Sequence, residues 1–263
     1  MIGIFDSGIG GLTVVKEFLR YLPDYQIIYF GDSARLPYGT KSPRFIRQCS
    51  KEIVKFLLKK GAKVIVIACH TASALAADFL RREFKDTPIF EIITPGVSGA
   101  IQSTKNKTIG IIGTPGTVNS GVHRRALLKK VADLNVYTES CPLLVPLIEE
   151  GWFERKETRL IVKNYLAPLK KKKIDTLILA CTHYPLLKKV ISFAMGKRVR
   201  IINPAKDLAL SFRSLLRQNE KLANSLKKSK QHQFFLSDDP YNFRLMSRFC
   251  LGKEINPKIV RFN

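Results

Sequence analysis

The sequence predicts an α/β protein of two pseudo-symmetric lobes, each with a mostly parallel sheet flanked by helices, and a site in the cleft between them. Short runs rich in Ile and Val alternate with longer segments of helical period. These runs are continuously apolar, which is typical of parallel strands covered on both faces. In addition, VIVIACHTASA at 64–74 is similar to TLILACTHYPL at 176–186, which indicates two related halves that each present one cysteine.

The apolar runs are predicted strands because they are rich in β-branched and aromatic residues and are bounded by turn-forming residues. In chain order they are Ile2–Phe5, Gln26–Gly31, Lys63–Cys69, Pro88–Ile93, Thr108–Gly113, Asn135–Thr138, Asp175–Cys181, Val199–Ile202, Gln233–Leu236 and Ile259–Phe262. The segments between them include three predicted helices with apolar residues at helical spacing. These are Arg44–Lys60, Ala72–Phe84 and Arg155–Lys171.

Two turn-type sequences are predicted to mark the crossings between the lobes. They are Thr94-Pro95-Gly96 and Asn203-Pro204. We expect a first lobe of residues 1–94 plus 205–263, which carries Cys69, and a second lobe of residues 95–204, which carries Cys181. The C-terminal segment would then return to complete the first lobe.

The composition restricts the class of protein. The chain has 263 residues, of which 45% are hydrophobic, and can bury a sizeable core. No run approaches the ~18 apolar residues of a membrane helix, and the start lacks the charged region of a signal peptide. We therefore expect a cytoplasmic protein without a membrane partner. The five cysteines include no CxxC pair, which argues against a disulfide framework and weakens a zinc site.

The charge is the unusual feature of the composition. There are 45 Lys and Arg residues against 21 Asp and Glu residues, a formal net charge of +24. Nucleic-acid binding is one explanation. A basic solvated surface is the other, since no basic segment is interleaved with aromatic residues. The sequence favours the basic solvated surface over nucleic-acid binding as a primary function.

Polar and nucleophilic residues follow the predicted strands at the ends where they stop. In parallel sheets the functional crevice lies beyond the carboxyl ends of the strands. This pattern therefore indicates a site rather than a core. The residues are Asp6, Ser7, Asp32, Ser33, Cys69, His70, Thr71, Thr114, Thr117, Cys181, Thr182 and His183.

Cys69 and Cys181 each lie where a predicted strand gives way to a helix. The helix N-terminus favours the thiolate form, which is the reactive form of cysteine. Two thiols facing each other across a cleft could remove a proton from a carbon and return one to its opposite face. A buried cysteine alone is more often structural. The internal repeat and the polar strand ends together favour the chemical interpretation.

Five motifs in chain order carry a resemblance to a known family. They are FDSGIGGLTV (5–14), YFGDSARLPYGTKS (29–42), ACHTASA (68–74), VPLIEEG (145–151) and ACTHYPLL (180–187), with Ser237-Asp238-Asp239-Pro240 near the C-terminus. Together they resemble bacterial glutamate racemase over nearly the whole chain. The resemblance implies two α/β lobes related by a pseudo-twofold axis, with the active site between them.

The resemblance also implies a reaction and a set of residues. The reaction is the interconversion of L- and D-glutamate without a cofactor or metal, which supplies D-glutamate for peptidoglycan. Cys69 would take the α-proton from D-glutamate and Cys181 from L-glutamate. Asp6 would assist Cys69, and His183 and Glu149 would assist Cys181. The substrate would be held by Asp6, Ser7, Tyr38, Gly39, His70, Thr71, Thr117, Thr182 and His183.

One position departs from the family, which has Asn where this chain has His70. Histidine is larger than asparagine and titrates near neutral pH, so the change affects how the substrate is held. The alternatives are an aspartate racemase of the same superfamily and a catalytically weak member that binds DNA gyrase or nucleic acid. A thiol hydrolase with His70 as base for Cys69 is disfavoured, because neighbouring residues on a strand point to opposite faces.

We expect a homodimer.

The remaining candidate residues have structural interpretations. The predicted surface histidines are His123 and His232, and the predicted structural cysteines are Cys49, Cys141 and Cys250. Asp32 and Ser33 either belong to the polar group at the strand ends or cap the following turn. Trp152 is interpreted as a packing residue, and Tyr38-Gly39 as part of a lid.

Overall fold

The computed structural model describes residues 1–262 and contains two parallel sheets. The strands are β1 (Ile2–Asp6), β2 (Ile27–Gly31), β3 (Val64–Ile67), β4 (Ile89–Glu91), β5 (Thr108–Gly113), β6 (Asn135–Ser140), β7 (Thr176–Ala180), β8 (Arg200–Ile202), β9 (Gln233–Leu236) and β10 (Lys258–Ile259). The first sheet has the order β10-β9-β2-β1-β3-β4 and the second the order β6-β5-β7-β8. Each pair of neighbouring strands is parallel.

Helices connect the strands and pack on the sheets. They are α1 (Leu12–Tyr21), α2 (Pro43–Lys59), α3 (His70–Glu83), α4 (Ile93–Ser103), α5 (Pro115–Asn119), α6 (Val122–Lys130), α7 (Leu144–Glu149), α8 (Lys156–Lys171), α9 (Lys188–Met195), α10 (Pro204–Gln218), α11 (Glu220–Ser225) and α12 (Phe243–Leu251). Among the described residues, no helix has both the length and the apolar character needed to cross a membrane.

The predicted α/β class is confirmed, and each predicted strand overlaps an observed one. The C-terminal segment returns to the first sheet, where β9 pairs with β2. The last predicted strand is wrong beyond Ile259, because only Lys258 and Ile259 pair with β9. The Phe262 ring packs instead against Phe30, with ring centroids 5.2 Å apart.

The predicted strand Lys63–Cys69 ends earlier than expected. Its pairing stops at Ile67, and Cys69 caps α3, with its sulfur accepting the Ala72 N–H at 3.4 Å. His70 is therefore the first residue of α3 rather than part of a turn before it. The bond to the cysteine explains the boundary, since it satisfies an N–H group that the first helical turn leaves free.

The interpretation of the two lobe crossings as turns is wrong. Thr94-Pro95-Gly96 lies in the first turn of α4, where the carboxylate of Glu91 accepts the Thr94 N–H at 3.0 Å. Asn203 caps α10, and Pro204 is its first residue. Proline fits the first helical turn because its missing N–H would have no partner there. The lobe boundaries drawn at these sequences stay predictions.

The two sheets bring three strand ends together. Cys69 follows β3, Ser7 follows β1 in the same sheet, and Cys181 follows β7 in the other sheet. The strand bodies before these ends are fully buried apolar residues. Because these strands are rigid and buried on both faces, they hold the polar residues at their ends in fixed positions.

Candidate active site

A small cavity lies between the strand ends of the two sheets. Its volume is about 30 Å³, which is room for about one water molecule. Ten of the predicted site residues line it: Ser7, Tyr38, Gly39, Cys69, His70, Thr71, Glu149, Cys181, Thr182 and His183. Asp6 and Thr117 lie behind this lining and contact it through hydrogen bonds.

Cys69 is held by the first sheet and the start of α3. Its sulfur is 3.5 Å from the hydroxyl of Ser7 and accepts the Ala72 N–H at 3.4 Å. Burial raises the pKa of the Cys69 thiol to about 12, and the charge of Asp6 adds to this rise. Cys69 is therefore protonated at neutral pH.

Cys181 is in a different environment, because a charged histidine lies beside it. The sulfur is 3.8 Å from Nδ1 of His183, and Nε2 of the same ring is 2.9 Å from Oε1 of Glu149. Burial acts to lower the pKa of His183, but its bonds with Cys181 and Glu149 raise that pKa to about 10. The His183 ring is therefore cationic at neutral pH, and its positive charge lies beside the Cys181 sulfur.

Asp6 joins the two lobes rather than lining the cavity. One carboxylate oxygen accepts the Gly8 N–H at 3.1 Å, and the other accepts the hydroxyl of Thr182 at 3.2 Å. Burial raises the pKa of this carboxyl group, and the nearby His183 acts against that rise. Thr13 adds a second link, because its hydroxyl donates to the carbonyl of Thr182 at 2.8 Å.

Three threonine hydroxyls form a cluster at the cavity wall. The Oγ1 atoms of Thr71, Thr114 and Thr117 lie 3.0 Å from one another. Thr71 is in the first turn of α3, whose free N–H groups make that end of the helix favourable for an anion. This wall therefore combines hydroxyl donors with a helix N-terminus, which suits a carboxylate.

The prediction that His123 is a surface residue is wrong. His123 is 3% exposed, and its Nε2 lies 3.2 Å from Nδ1 of His70. Its helix, α6, follows the second sheet's β5, so its partner belongs to the other half of the molecule. The sequence contains no signal of this burial, because the partner lies 53 positions away. His232 is half-buried, and its Nδ1 accepts the Ile27 N–H at 3.2 Å.

Asp32 does more than cap a turn. It is fully buried and accepts hydrogen bonds from Arg35, from the hydroxyl of Ser237 at 2.8 Å and from the hydroxyl of Tyr38. The Tyr38 hydroxyl is therefore held by Asp32, and the Tyr38 ring forms part of the cavity wall. These bonds join the YFGDSARLPYGTKS and SDDP segments, so the expected lid is anchored to the first lobe.

Sequence reasoning did not identify five of the lining residues, which are Gly8, Leu36, Pro37, Val145 and Ala180. Thr114, which the sequence places among the polar residues at strand ends, also lines the cavity, because it follows β5 at the same edge of the sheet as Cys181. The apolar residues carry no chemical signal, and their position depends on how the lobes meet. Cys49, Cys141 and Cys250 are buried.

A family model, the sequences of known proteins and solved structures all match this chain to one family of racemases. The family model described as Asp/Glu/hydantoin racemase matches residues 3–209. A glutamate racemase from Geobacter metallireducens is 43% identical over 253 residues, 96% of this chain and 93% of that protein. A solved glutamate racemase from Bacillus anthracis has a TM-score of 0.91 at 35% identity, covering 100% of this chain and 97% of that one. One from Francisella tularensis, solved with D-glutamate, has a TM-score of 0.89 at 40% identity, covering 98% and 96%.

Proposed function

Because this chain belongs to the Asp/Glu racemase family and is similar to glutamate racemases over nearly its whole length, we propose that it interconverts L- and D-glutamate by a two-thiol mechanism. The observation that carries the proposal is the shared cavity. Cys69 and Cys181 line it from different sheets, at equivalent places after β3 and β7. An amino acid between them would have one thiol on each side of its α-carbon.

In the direction from L- to D-glutamate, the reaction starts with Cys181 as thiolate and Cys69 as thiol. The Cys181 sulfur takes the α-proton, and the electron pair of the C–H bond stays on the α-carbon. Cys69 then gives its proton to the opposite face, which leaves Cys69 as thiolate and Cys181 as thiol. The reverse direction starts from that second state. No electrons are gained or lost overall, so no redox partner takes part.

The surroundings of the thiols support this starting state. The protonation of Cys69, whose pKa is raised to about 12 by burial, makes it the proton donor. The cationic His183 lies 3.8 Å from the Cys181 sulfur, where it provides the counter-charge for the thiolate of the proposed starting state. The charge that develops on the substrate during proton removal is stabilised by fixed donors, which include the Thr71 hydroxyl and the N-terminus of α3.

Substrate entry requires the cavity to widen. A volume of about 30 Å³ is too small for glutamate. The contacts that close it include the bond between the Thr182 hydroxyl and Asp6, which links the two lobes. We infer that these contacts open for entry and close again around the substrate, which excludes water from the thiols.

The biological role that follows is the supply of D-glutamate for peptidoglycan synthesis in the cytoplasm. The homodimer and the contact with DNA gyrase or nucleic acid stay predictions.

The test is circular dichroism of L-glutamate and, separately, D-glutamate with purified protein and no added cofactor. We expect both to approach the same racemic end point. Cys69→Ser and Cys181→Ser should each abolish racemisation, because the serine hydroxyl is a far weaker acid than a thiol. Cys250→Ser is the matched control, since this buried cysteine lies in α12 and does not line the cavity.

Two outcomes would contradict the proposal. One is racemisation at the original rate by either of the two serine variants at Cys69 and Cys181. The other is turnover of aspartate, but not of glutamate, by the unaltered protein under the same conditions. That second result would support the aspartate alternative, while the two-thiol mechanism could still apply.

A further inference from the structure

A pair of buried histidines joins the two halves of the molecule at the cavity wall. His70 is the first residue of α3, and His123 is the second residue of α6. Nδ1 of His70 lies 3.2 Å from Nε2 of His123, and the rings are stacked with centroids 5.4 Å apart. Both side chains are buried, and only His70 lines the cavity.

The pair is uncharged at neutral pH. Burial lowers the pKa of His123 to about 4, and burial together with His123 lowers the pKa of His70 well below its usual value. The position of His70 at a helix N-terminus also disfavours positive charge. A contact between two neutral rings at 3.2 Å needs one N–H and one lone pair. One histidine therefore donates and the other accepts.

The direction of this bond decides what His70 presents to the cavity. If His123 donates from Nε2, then both rings carry their proton on Nε2, which is the more stable tautomer of a neutral histidine in water. If His70 donates from Nδ1, then both rings carry the proton on Nδ1, the less stable tautomer. The bond to His123 is the one hydrogen bond of the His70 ring within the described residues. Its Nε2 is thus available to a bound molecule.

We propose that His123 is a positioning residue that donates its Nε2 proton to Nδ1 of His70 and so fixes His70 as a hydrogen-bond donor, through Nε2–H, to a carboxylate of the substrate. This inference rests on the proposed function for the identity of the substrate. The role of His70 is to touch the substrate, and the role of His123 is to fix the tautomer and the orientation of His70.

The surroundings of His70 agree with an anionic partner. The hydroxyl of the next residue, Thr71, contacts Thr114 and Thr117, and the α3 N-terminus attracts negative charge. A donor at His70 Nε2 extends this group of donors, whereas a lone pair there would repel a carboxylate. Within residues 1–262, no third His, Cys, Asp or Glu completes a metal-binding group with the pair.

The pair also accounts for the departure at position 70. Asparagine has an amide that can donate by itself, whereas a neutral histidine donates from Nε2 only in one of its tautomers. His123 selects that tautomer. A histidine at position 70 therefore depends on its neighbour in a way that an asparagine does not.

The test combines two substitutions at His123 with a direct measurement of the tautomer. His123→Leu fills similar space and removes the donor. His123→Gln keeps a donor near the place of Nε2 and is the matched control. We expect His123→Leu to raise the KM for glutamate about tenfold with a much smaller change in kcat, as expected for lost ground-state binding. His123→Gln should restore KM to within about threefold of the original value.

Two-bond ¹H–¹⁵N NMR spectra of the histidine rings measure the tautomer without turnover. The chain has four histidines, so assignment by substitution is practical. We expect His70 to carry its proton on Nε2 in the unaltered protein and in His123→Gln. In His123→Leu a mixture of both tautomers should be seen. A purely structural role for His123 would lower thermal stability in both variants and leave the tautomer of His70 unchanged.

A coupling test completes the design. In a His70→Asn background, His123→Leu should have little further effect on KM, because the amide donates independently of its neighbour. A proton on Nδ1 of His70 in the unaltered protein would overturn the proposal, as would an unchanged KM in folded His123→Leu. If the unaltered protein fails to racemise glutamate, the proposed function fails. The NMR result would still decide the role of His123.

Discussion

Gly10 is the position at which one added methyl group should damage the site most directly. A Cβ atom at Gly10 would lie 2.4 Å from Nδ1 and 2.5 Å from Cε1 of His183, and 2.6 Å from the hydroxyl of Thr182. Ordinary contacts are 3.4–4 Å, so Gly10→Ala requires a shift of about 1 Å. The ring cannot simply rotate away, because its two nitrogens contact Cys181 and Glu149.

The shift must therefore separate the two halves of the site or displace His183 from Cys181. A misplacement of about 1 Å in an active site can cost about 100-fold in rate, which corresponds to about 2.7 kcal/mol of activation free energy. We expect Gly10→Ala to lower kcat/KM for glutamate by about this factor in both directions. The overpacking should also lower the free energy of unfolding by about 1–3 kcal/mol.

The assay is racemisation followed by circular dichroism, with urea unfolding as the measure of stability. Gly196→Ala is the matched control, because Gly196 has a φ of +87° and nothing lies within 4 Å of an added Cβ. It should lose stability through backbone strain without loss of kcat/KM at temperatures where it is folded. If Gly10→Ala keeps kcat/KM within threefold of the original value, the added Cβ does not disturb the site as expected. An equal loss of kcat/KM in Gly10→Ala and Gly196→Ala would refute the expectation as well.

Three further predictions concern charge at the site. Glu149→Gln removes a charge that raises the pKa of His183, so that pKa should fall from about 10 and the alkaline limb of the pH–rate profile should move to lower pH. Because the folded-state pKa of His123 is about 4, the unfolded chain binds more protons between pH 6.5 and that value. The free energy of unfolding should thus fall by about 3 kcal/mol as pH drops through this window. In His123→Gln, the free energy of unfolding measured with urea should change less with pH across the same window. The raised pKa of His183 acts with the opposite sign. Its contribution to the free energy of unfolding is present below pH ~6.5 and is lost as pH rises towards about 10. His183→Gln should remove this loss of stability at alkaline pH, as measured by urea unfolding.

The fold and the two thiols could be predicted because their signals are local. Buried parallel strands are continuous apolar runs, and polar residues at their ends identify the crevice without knowledge of the packing. The similarity of 64–74 to 176–186 identifies Cys69 and Cys181 as a pair from the sequence alone. Both line the same cavity in the structure.

The parts that could not be predicted depend on contacts between distant segments. Asp32 has the local pattern of a turn cap, yet its hydrogen bond with Ser237 spans 205 positions. His123 lies in a short helix whose pattern gives no sign of burial, and its partner is on the other side of the cleft. The small volume of the cavity likewise follows from how the lobes meet, which periodicity does not encode.

The internal repeat predicts two equivalent halves, but the chemistry at the two thiols differs because the order of two residues is exchanged. In ACHTASA the histidine directly follows the cysteine, and the His70 ring contacts His123. In ACTHYPLL a threonine intervenes, and the His183 ring returns to within 3.8 Å of the Cys181 sulfur. The backbone is therefore pseudo-symmetric while the electrostatics are not: a neutral pair lies near Cys69 and a cation lies beside Cys181. The two cysteines of the proposed mechanism therefore lie in different electrostatic surroundings, although equivalent strands carry them.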